Sequence, residues 1–302
     1  MKKILVADAL NPEAFEELNS ITDFDVTLKT GMDEAELIKT IPGFHAIVVR
    51  SATKVTENVI KSASDLEIIV RAGIGLDNIN LNAAREANIE VANTPAATTF
   101  SVAEHTFGLM QGAVRNHGPA NVSMKAHKWE KKKFSGTELY EKTLGIIGSG
   151  RIGLDLARRA IAWGMNVIAC DIIDIKTTLD VKQMCLDDVL NQADIISLHL
   201  PLTEQTKHMI SDKEFEKMKD GVVIVNASRG GIIDEAALLK ALNSGKVRAA
   251  AIDVFEKEPP DDFNLIDHPN VTATPHIGAA AKEGQKRAGF EVVTILKEKY
   301  LS

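Results

Sequence analysis

Residues 142–157 constrain this chain more than any other stretch. Lys142-Thr143-Leu144-Gly145-Ile146-Ile147 reads as a strand, and Gly148-Ser149-Gly150-Arg151-Ile152-Gly153 follows without a break. Leu154-Asp155-Leu156-Ala157 then continues as an apolar-faced helix. A GxGxxG alone is weak; between a strand and a helix it has a physical reason. Gly148 permits the tight turn, Gly150 lets a pyrophosphate approach the backbone, and Gly153 lets helix and strand pack closely. The helix N-terminus, with Arg151 and Ile152 in its first turn, offers free N–H groups to phosphate. The next apolar run ends in Asp171, where a carboxylate can accept hydrogen bonds from a ribose diol. The same carboxylate repels a 2′-phosphate, by roughly 1 kcal/mol at 4 Å in water and about 4 at an effective dielectric of 20. Ile172, Ile173 and Asp174 supply no cation to reverse this. The expected cofactor is NAD rather than NADP.

The same rhythm runs through the chain. Short β-branched runs stand at 4–7, 46–49, 68–70, 89–92, 144–147, 167–170, 195–198, 222–225 and 249–252, with helical periods such as 12–18, 154–163 and 235–242 between them. Runs apolar throughout mark strands covered on both faces, hence parallel sheets flanked by helices and an α/β fold. Residues 101–122 break the rhythm and read as one long linking helix. Thr94-Pro95 precedes it, and Thr274-Pro275 repeats the dipeptide late in the chain. Proline holds its predecessor extended, so the two sites read as crossings. They predict a discontinuous domain, 1–94 with 276–302, and a cofactor domain, 95–275, inserted into it.

At about 150 residues per domain, 302 residues also give two domains. No stretch approaches the ~20 apolar residues of a membrane span. Cys170 and Cys185 are the only cysteines, which gives neither a disulfide framework nor metal-ligand spacing, and a cytoplasmic setting is expected. The formal charge of −7 argues against nucleic acid as partner. It does not exclude a small anion, because Lys125, His127, Lys128, Lys131, Lys132 and Lys133 cluster locally; a solvated helix end is the plainer reading.

Ligands of open α/β sheets bind outside the carboxyl ends of strands. Arg229 follows the run 222–225, the segment 253–260 follows 249–252, and His276 follows Thr274-Pro275. Each alone has a dull explanation as a turn or solvated residue; together they suggest a site. Arg71-Ala72-Gly73-Ile74-Gly75-Leu76-Asp77-Asn78 also places a GxG after a strand. It lacks the third glycine, and Asp77-Asn78 signals a turn. It reads as a loop able to grip a small anion rather than a second dinucleotide site.

These segments, with Arg50-Ser51-Ala52-Thr53-Lys54-Val55, Trp129–Phe134 and Thr274-Pro275-His276-Ile277-Gly278-Ala279, resemble the D-2-hydroxyacid dehydrogenase family over nearly the whole chain. The RSATKV and RAGxGxDN segments look like its phosphoglycerate branch. The resemblance implies a Rossmann dinucleotide-binding domain inserted into a flavodoxin-like α/β substrate-binding domain. It implies Arg229 on the substrate carboxylate, His276 as acid–base, Glu258 orienting His276, and no metal. Asp253, Ala227, Ser228, Arg229, His276 and Gly278 would line the nicotinamide end of the NAD site. Arg50, Arg71, Gly73, Ile74, Gly75 and Lys131 would meet a small anionic 2-hydroxy or 2-keto acid carrying a phosphate, expected to be 3-phosphoglycerate on the way to L-serine. The alternatives are reduction of hydroxypyruvate, glyoxylate or pyruvate, and an NAD-sensing binding module. Thr98 and Ile74 depart from the residues common in relatives. A homodimer or higher homo-oligomer through the 101–122 helix is expected. The chain ends with the helix after His276, so serine feedback through an added C-terminal domain is not expected.

Overall fold

The computed structural model describes residues 1–301. The chain forms two units, Met1–Thr99 with Ala279–Ser302, and Phe100–Gly278. The first holds β1 (Lys2–Val6), α1 (Pro12–Asn19), β2 (Phe24–Leu28), α2 (Glu34–Thr40), β3 (Ala46–Val49), α3 (Glu57–Ser62), β4 (Ile68–Arg71), α4 (Leu81–Glu86), β5 (Glu90–Asn93) and the returning helix Lys282–Leu301. All strand pairs are parallel, in the order β2-β1-β3-β4-β5, which is the flavodoxin-like order.

Continuous apolar strands do here what two covered faces require. Leu5, Ile47, Val49 and Ile69 point to one core, with Leu37, Val59 and Ala84 from α2, α3 and α4. Their alternates Ile4, Val6, Val48 and Val70 point to the other, with Leu18 of α1 and Val292, Val293 and Leu296 of the returning helix. Side-chain N-caps start the helices: Asn11, Asp33, Thr56 and Asn80 each accept from first-turn N–H groups.

The second unit begins with α5 (Thr99–Val114), α6 (His117–Lys125) and a short 3₁₀ turn, Lys131–Phe134. It continues with β6 (Thr143–Ile147), α7 (Arg151–Ala162), β7 (Asn166–Cys170), β8 (Lys182–Gln183), α8 (Leu186–Gln192), β9 (Ile195–Leu198), α9 (Asp212–Lys217), β10 (Val222–Asn226), α10 (Glu235–Ser244), β11 (Val247–Ile252) and β12 (Val271–Ala273). The sheet is parallel in the order β12-β11-β10-β9-β6-β7-β8. Six of these strands reproduce the dinucleotide-binding order, with its switch point between β6 and β9.

The structure corrects the reading of residues 101–122. They are not one helix: α5 ends at Val114 and α6 restarts at His117, with Asn116 left-handed at φ 55°. Pro119 is the reason, because inside a continuous helix its ring would meet the carbonyl of Arg115 and it has no N–H to donate. Asparagine tolerates the left-handed bend. The units divide at 99/100 and 278/279 rather than at 94/95 and 275/276. Residues 276–278 stay with the second unit because Asp253 holds the N–H groups of His276, Ile277 and Gly278.

Candidate active site

The β6–α7 turn is shaped by its glycines. Gly148 has φ 94°, and a Cβ there would stand 2.5 Å from the carbonyl oxygen of His199. A Cβ on Gly153 would stand 2.3 Å from the carbonyl oxygen of Gly148. Around Gly150, the N-cap of α7, nothing lies within 4 Å of the Cβ position, so one side of the turn is open to a ligand. Ser149 donates its N–H to the Asp171 carboxylate at 2.6 Å, and its buried hydroxyl has no protein partner. Asp171 stands just past the end of β7 and also accepts from Ile173 N–H at 3.3 Å. An open glycine turn, an unpartnered hydroxyl and a carboxylate at the next strand end fit a dinucleotide, whose phosphates the first two would meet and whose ribose the third would meet. His199, just beyond β9, is held neutral, its pKa lowered to about 4 by burial.

Past β10, Asn226 organises the turn that carries Arg229. Its amide accepts from Ser228 N–H and Oγ at 3.0 and 2.7 Å and donates to the Arg229 carbonyl at 2.9 Å. Ala227 is buried there. Gly230 crosses the next loop so closely that a Cβ would overlap the Phe255 carbonyl. That second loop carries Glu258, whose carboxylate accepts from Phe255 N–H at 3.1 Å and meets His276 Nδ1 at 2.6 Å. The Glu258 hydrogen bond raises the His276 pKa above its usual 6.5, against burial and the positive charge of Arg229, which lower it. Burial would raise the Glu258 pKa, but the His276 and Phe255 hydrogen bonds outweigh it and the net shift is downward. Arg229, Glu258 and His276, separated in sequence, thus share one electrostatic neighbourhood. Nδ1 is turned to Glu258, and Nε2 is the ring nitrogen that this contact leaves unengaged.

Asp253 is fully buried beside them. Its carboxylate accepts from Thr274 Oγ1 at 2.5 Å, Ile277 N–H at 2.9 Å and Gly278 N–H at 2.8 Å. The sequence reading missed one member of this group: His105 of α5, with Nε2 at 3.2 Å from Thr274 Oγ1 and 3.3 Å from Asp253 Oδ1. Little in the sequence signals it, because His105 stands beside Glu104 and Thr106 and nothing marks it out from them.

In the first unit, Arg50 and Arg71 stand at neighbouring strand ends. The Arg50 N–H donates to Asp8 at 2.6 Å, and its guanidinium reaches the Ala9 carbonyl at 3.2 Å. The Arg71 guanidinium folds back onto the carbonyls of Gly75 and Arg50. It thereby fills the space beneath Gly73, where a Cβ would stand 3.2 Å from Nη1. The Gly73 carbonyl accepts from Thr94 N–H and the Ile74 carbonyl from Asn93 Nδ2. Lys131 is exposed on the 3₁₀ turn and shares no hydrogen bond or ion pair with Arg229, Glu258 or His276. A separate cleft of about 150 Å³ touches Lys142, Asp194, Lys219 and Arg248 at the amino ends of β6, β9, β10 and β11. It lies at the opposite edge of that sheet from these strand-end residues.

Known proteins bear on this geometry. Residues 107–278 match the profile described as D-isomer specific 2-hydroxyacid dehydrogenase, NAD binding domain. The chain is 49% identical over 300 residues to a hydroxypyruvate reductase of Thermotoga maritima, covering 98% of each. It is 48% identical over 292 residues to a D-3-phosphoglycerate dehydrogenase of Archaeoglobus fulgidus, covering 95% of this chain but 55% of that one. The chain therefore spans about half the length of that relative. The crystal structure of D-lactate dehydrogenase from Aquifex aeolicus, complexed with NAD and lactic acid, superposes with a TM-score of 0.88 at 28% identity, covering 99% of this chain and 95% of that one. Sequence, fold and cofactor turn agree, and the chain belongs to the NAD-dependent D-2-hydroxyacid dehydrogenase family.

Proposed function

We propose that the chain interconverts 3-phosphoglycerate and 3-phosphohydroxypyruvate, the first being a precursor of serine. The 2.6 Å contact between His276 Nδ1 and Glu258 is the observation that carries the chemistry. When bound, NAD supplies the hydride acceptor at its nicotinamide ring. Arg229 pairs with the substrate carboxylate, which a guanidinium fork matches in two bonds. Its charge also polarises the adjacent C2–oxygen bond. His276, neutral at Nε2, takes the C2 hydroxyl proton during oxidation and returns it during reduction. Glu258 stabilises the imidazolium that forms and fixes the ring plane. Asp171 receives the adenosine ribose, and Gly148–Gly153 the phosphates. The two strand-end arginines, Arg50 and Arg71, support a phosphorylated substrate, with Lys131 as a further cation.

A second reading is hydroxypyruvate reduction. It is favoured by the Thermotoga relative, which this chain matches over 98% of both lengths. One assay separates them: NADH appearance and consumption with phosphorylated and unphosphorylated three-carbon acids, compared as kcat/KM. Preference for 3-phosphoglycerate supports the first reading, and preference for hydroxypyruvate the second. NADH binding without turnover on any 2-hydroxy acid would leave only a sensing module.

A homodimer is also proposed. Val122, Met124 and Trp129 are exposed on and after α6, and exposed apolar side chains in one stretch suit a protein partner. Sedimentation at micromolar concentration tests it. No helix is long and apolar enough to cross a membrane among the described residues, and a cytoplasmic location is part of the same proposal.

A further inference from the structure

His276 has a left-handed backbone, φ 52°. For a residue with a Cβ this conformation is strained and persists only where the surroundings over-determine it. Apart from a 3.1 Å contact of the His276 N–H with the Thr274 carbonyl, the backbone restraint comes from one residue. The Asp253 carbonyl accepts the His276 N–H at 2.8 Å. The Asp253 carboxylate holds Thr274 before the histidine and Ile277 and Gly278 after it. The turn therefore copies the position of Asp253. The Asp253 backbone is anchored from the sheet by its N–H on the Asn226 carbonyl, but these donors to its carboxylate all belong to the segment being positioned, so none of them can fix that carboxylate independently.

His105 can. It projects from α5, and its Nε2 lies 3.2 Å from Thr274 Oγ1 and 3.3 Å from Asp253 Oδ1. The Thr274 hydroxyl spends its proton on Asp253, so toward His105 it can only accept. Nε2 must therefore be the protonated ring nitrogen, whether the imidazole is neutral or charged. Gly278 makes the approach possible: a Cβ there would stand 3.1 Å from Asp253 Oδ2 and 3.6 Å from His105 Cδ2.

We propose that His105 is a positioning residue for the reaction: its Nε2–H, acting through Thr274 and Asp253, sets where His276 presents its ring to Glu258 and to substrate. This rests on the reading of His276 as the acid–base group. The charged groups that bear on His276 are Glu258, Arg229 and Asp253, and His105 moves only the last directly.

The test compares His105→Phe, which keeps ring volume without the donor, with His105→Gln, which keeps a donor. His105→Phe should lower kcat roughly 10- to 100-fold, the scale of a misplacement near 1 Å, while NADH binding changes less than about twofold. In NMR titration its His276 midpoint should fall, because the contact with Glu258 loosens. His105→Gln should restore both to near wild type. A folded His105→Phe with unchanged kcat and His276 midpoint overturns the proposal, as does a His105→Gln that fails equally. Nitrogen chemical shifts of the wild-type protein add a check free of folding effects: His105 protonated at Nδ1 alone overturns it. A wild-type chain inactive on every 2-hydroxy acid refutes the acid–base reading instead. The His276 midpoint then still decides whether His105 positions the ring.

Discussion

The chain contains two strand–GxG turns, and they have opposite interiors. After β6, the turn at Gly148–Gly153 opens toward solvent at Gly150 and runs straight into the twelve-residue helix α7. After β4, the turn at Gly73–Gly75 is filled by the Arg71 guanidinium of its own chain and runs into a second turn at Asp77-Asn78. Glycine spacing is nearly the same in both. What differs is whether the concavity is vacant and whether aligned helical N–H groups stand behind it. The first turn can take a pyrophosphate; the second presents a cation already braced on its own carbonyls.

If the turns divide the labour in this way, with the chemistry at neither, substitutions should separate three readouts. His276→Ala should have the largest effect, lowering kcat about 1000-fold, within the range for a lost general acid–base. NADH affinity should change little, and equal loss of both in stopped-flow and fluorescence measurements would mean the histidine is structural. Gly148→Ala should come next. Its Cβ meets a backbone carbonyl at 2.5 Å, and overpacking of about 1–3 kcal/mol converts to roughly 10- to 100-fold weaker NADH binding. The comparison breaks if Gly73→Ala weakens NADH to the same degree.

Arg71→Ala should raise KM for a phosphorylated substrate about tenfold, the scale of one charge-assisted hydrogen bond, and leave NADH affinity alone. An unchanged preference for phosphorylated over unphosphorylated acid would remove Arg71, and in a parallel variant Arg50, from phosphate recognition. Asp171→Ala should relax discrimination against NADP by roughly tenfold, given the repulsion of one to four kcal/mol at that site, reduced by exposure. Glu258→Gln is the subtlest. The Glu258 contact raises the His276 pKa, so reduction, which needs the protonated ring, persists to higher pH, and oxidation rises as pH passes that pKa. Without the carboxylate both limbs move to lower pH. A pH–rate profile that stays in place would separate Glu258 from the titrating group.

Much of this fold is legible in the sequence. Strands covered on both faces announce themselves as unbroken apolar runs, so β1, β3, β4, β6, β7, β9, β10 and β11 could be read. Phe24–Leu28 could not, because it is an edge strand with an alternating pattern, FDVTL, and mixed exposure. The α5–α6 break is written in Pro119, although the apolar period continues on either side of it. Asp171, Arg229, His276 and the 253–260 segment are legible as candidates because strand ends are where such sheets bind ligands; the role proposed for Glu258 comes from the family resemblance. The inward fold of Arg71 and the role of His105 are not legible. Both depend on which backbone atoms pass nearby, and nothing along one dimension records that.

The returning helix Lys282–Leu301 has a further consequence, for synthesis. Tyr300 donates its hydroxyl hydrogen to the His45 carbonyl, 255 residues earlier in the chain. Val292, Val293 and Leu296 close the core over Ile4, Val6, Val48 and Val70. A ribosome adding about 5–20 residues per second needs roughly 13–50 s to deliver that cover. The segment that completes the second unit emerges first. For that interval one apolar face of the earliest strands has only α1 over it, and a nascent chain of this kind is exposed to aggregation or chaperone capture at its oldest end.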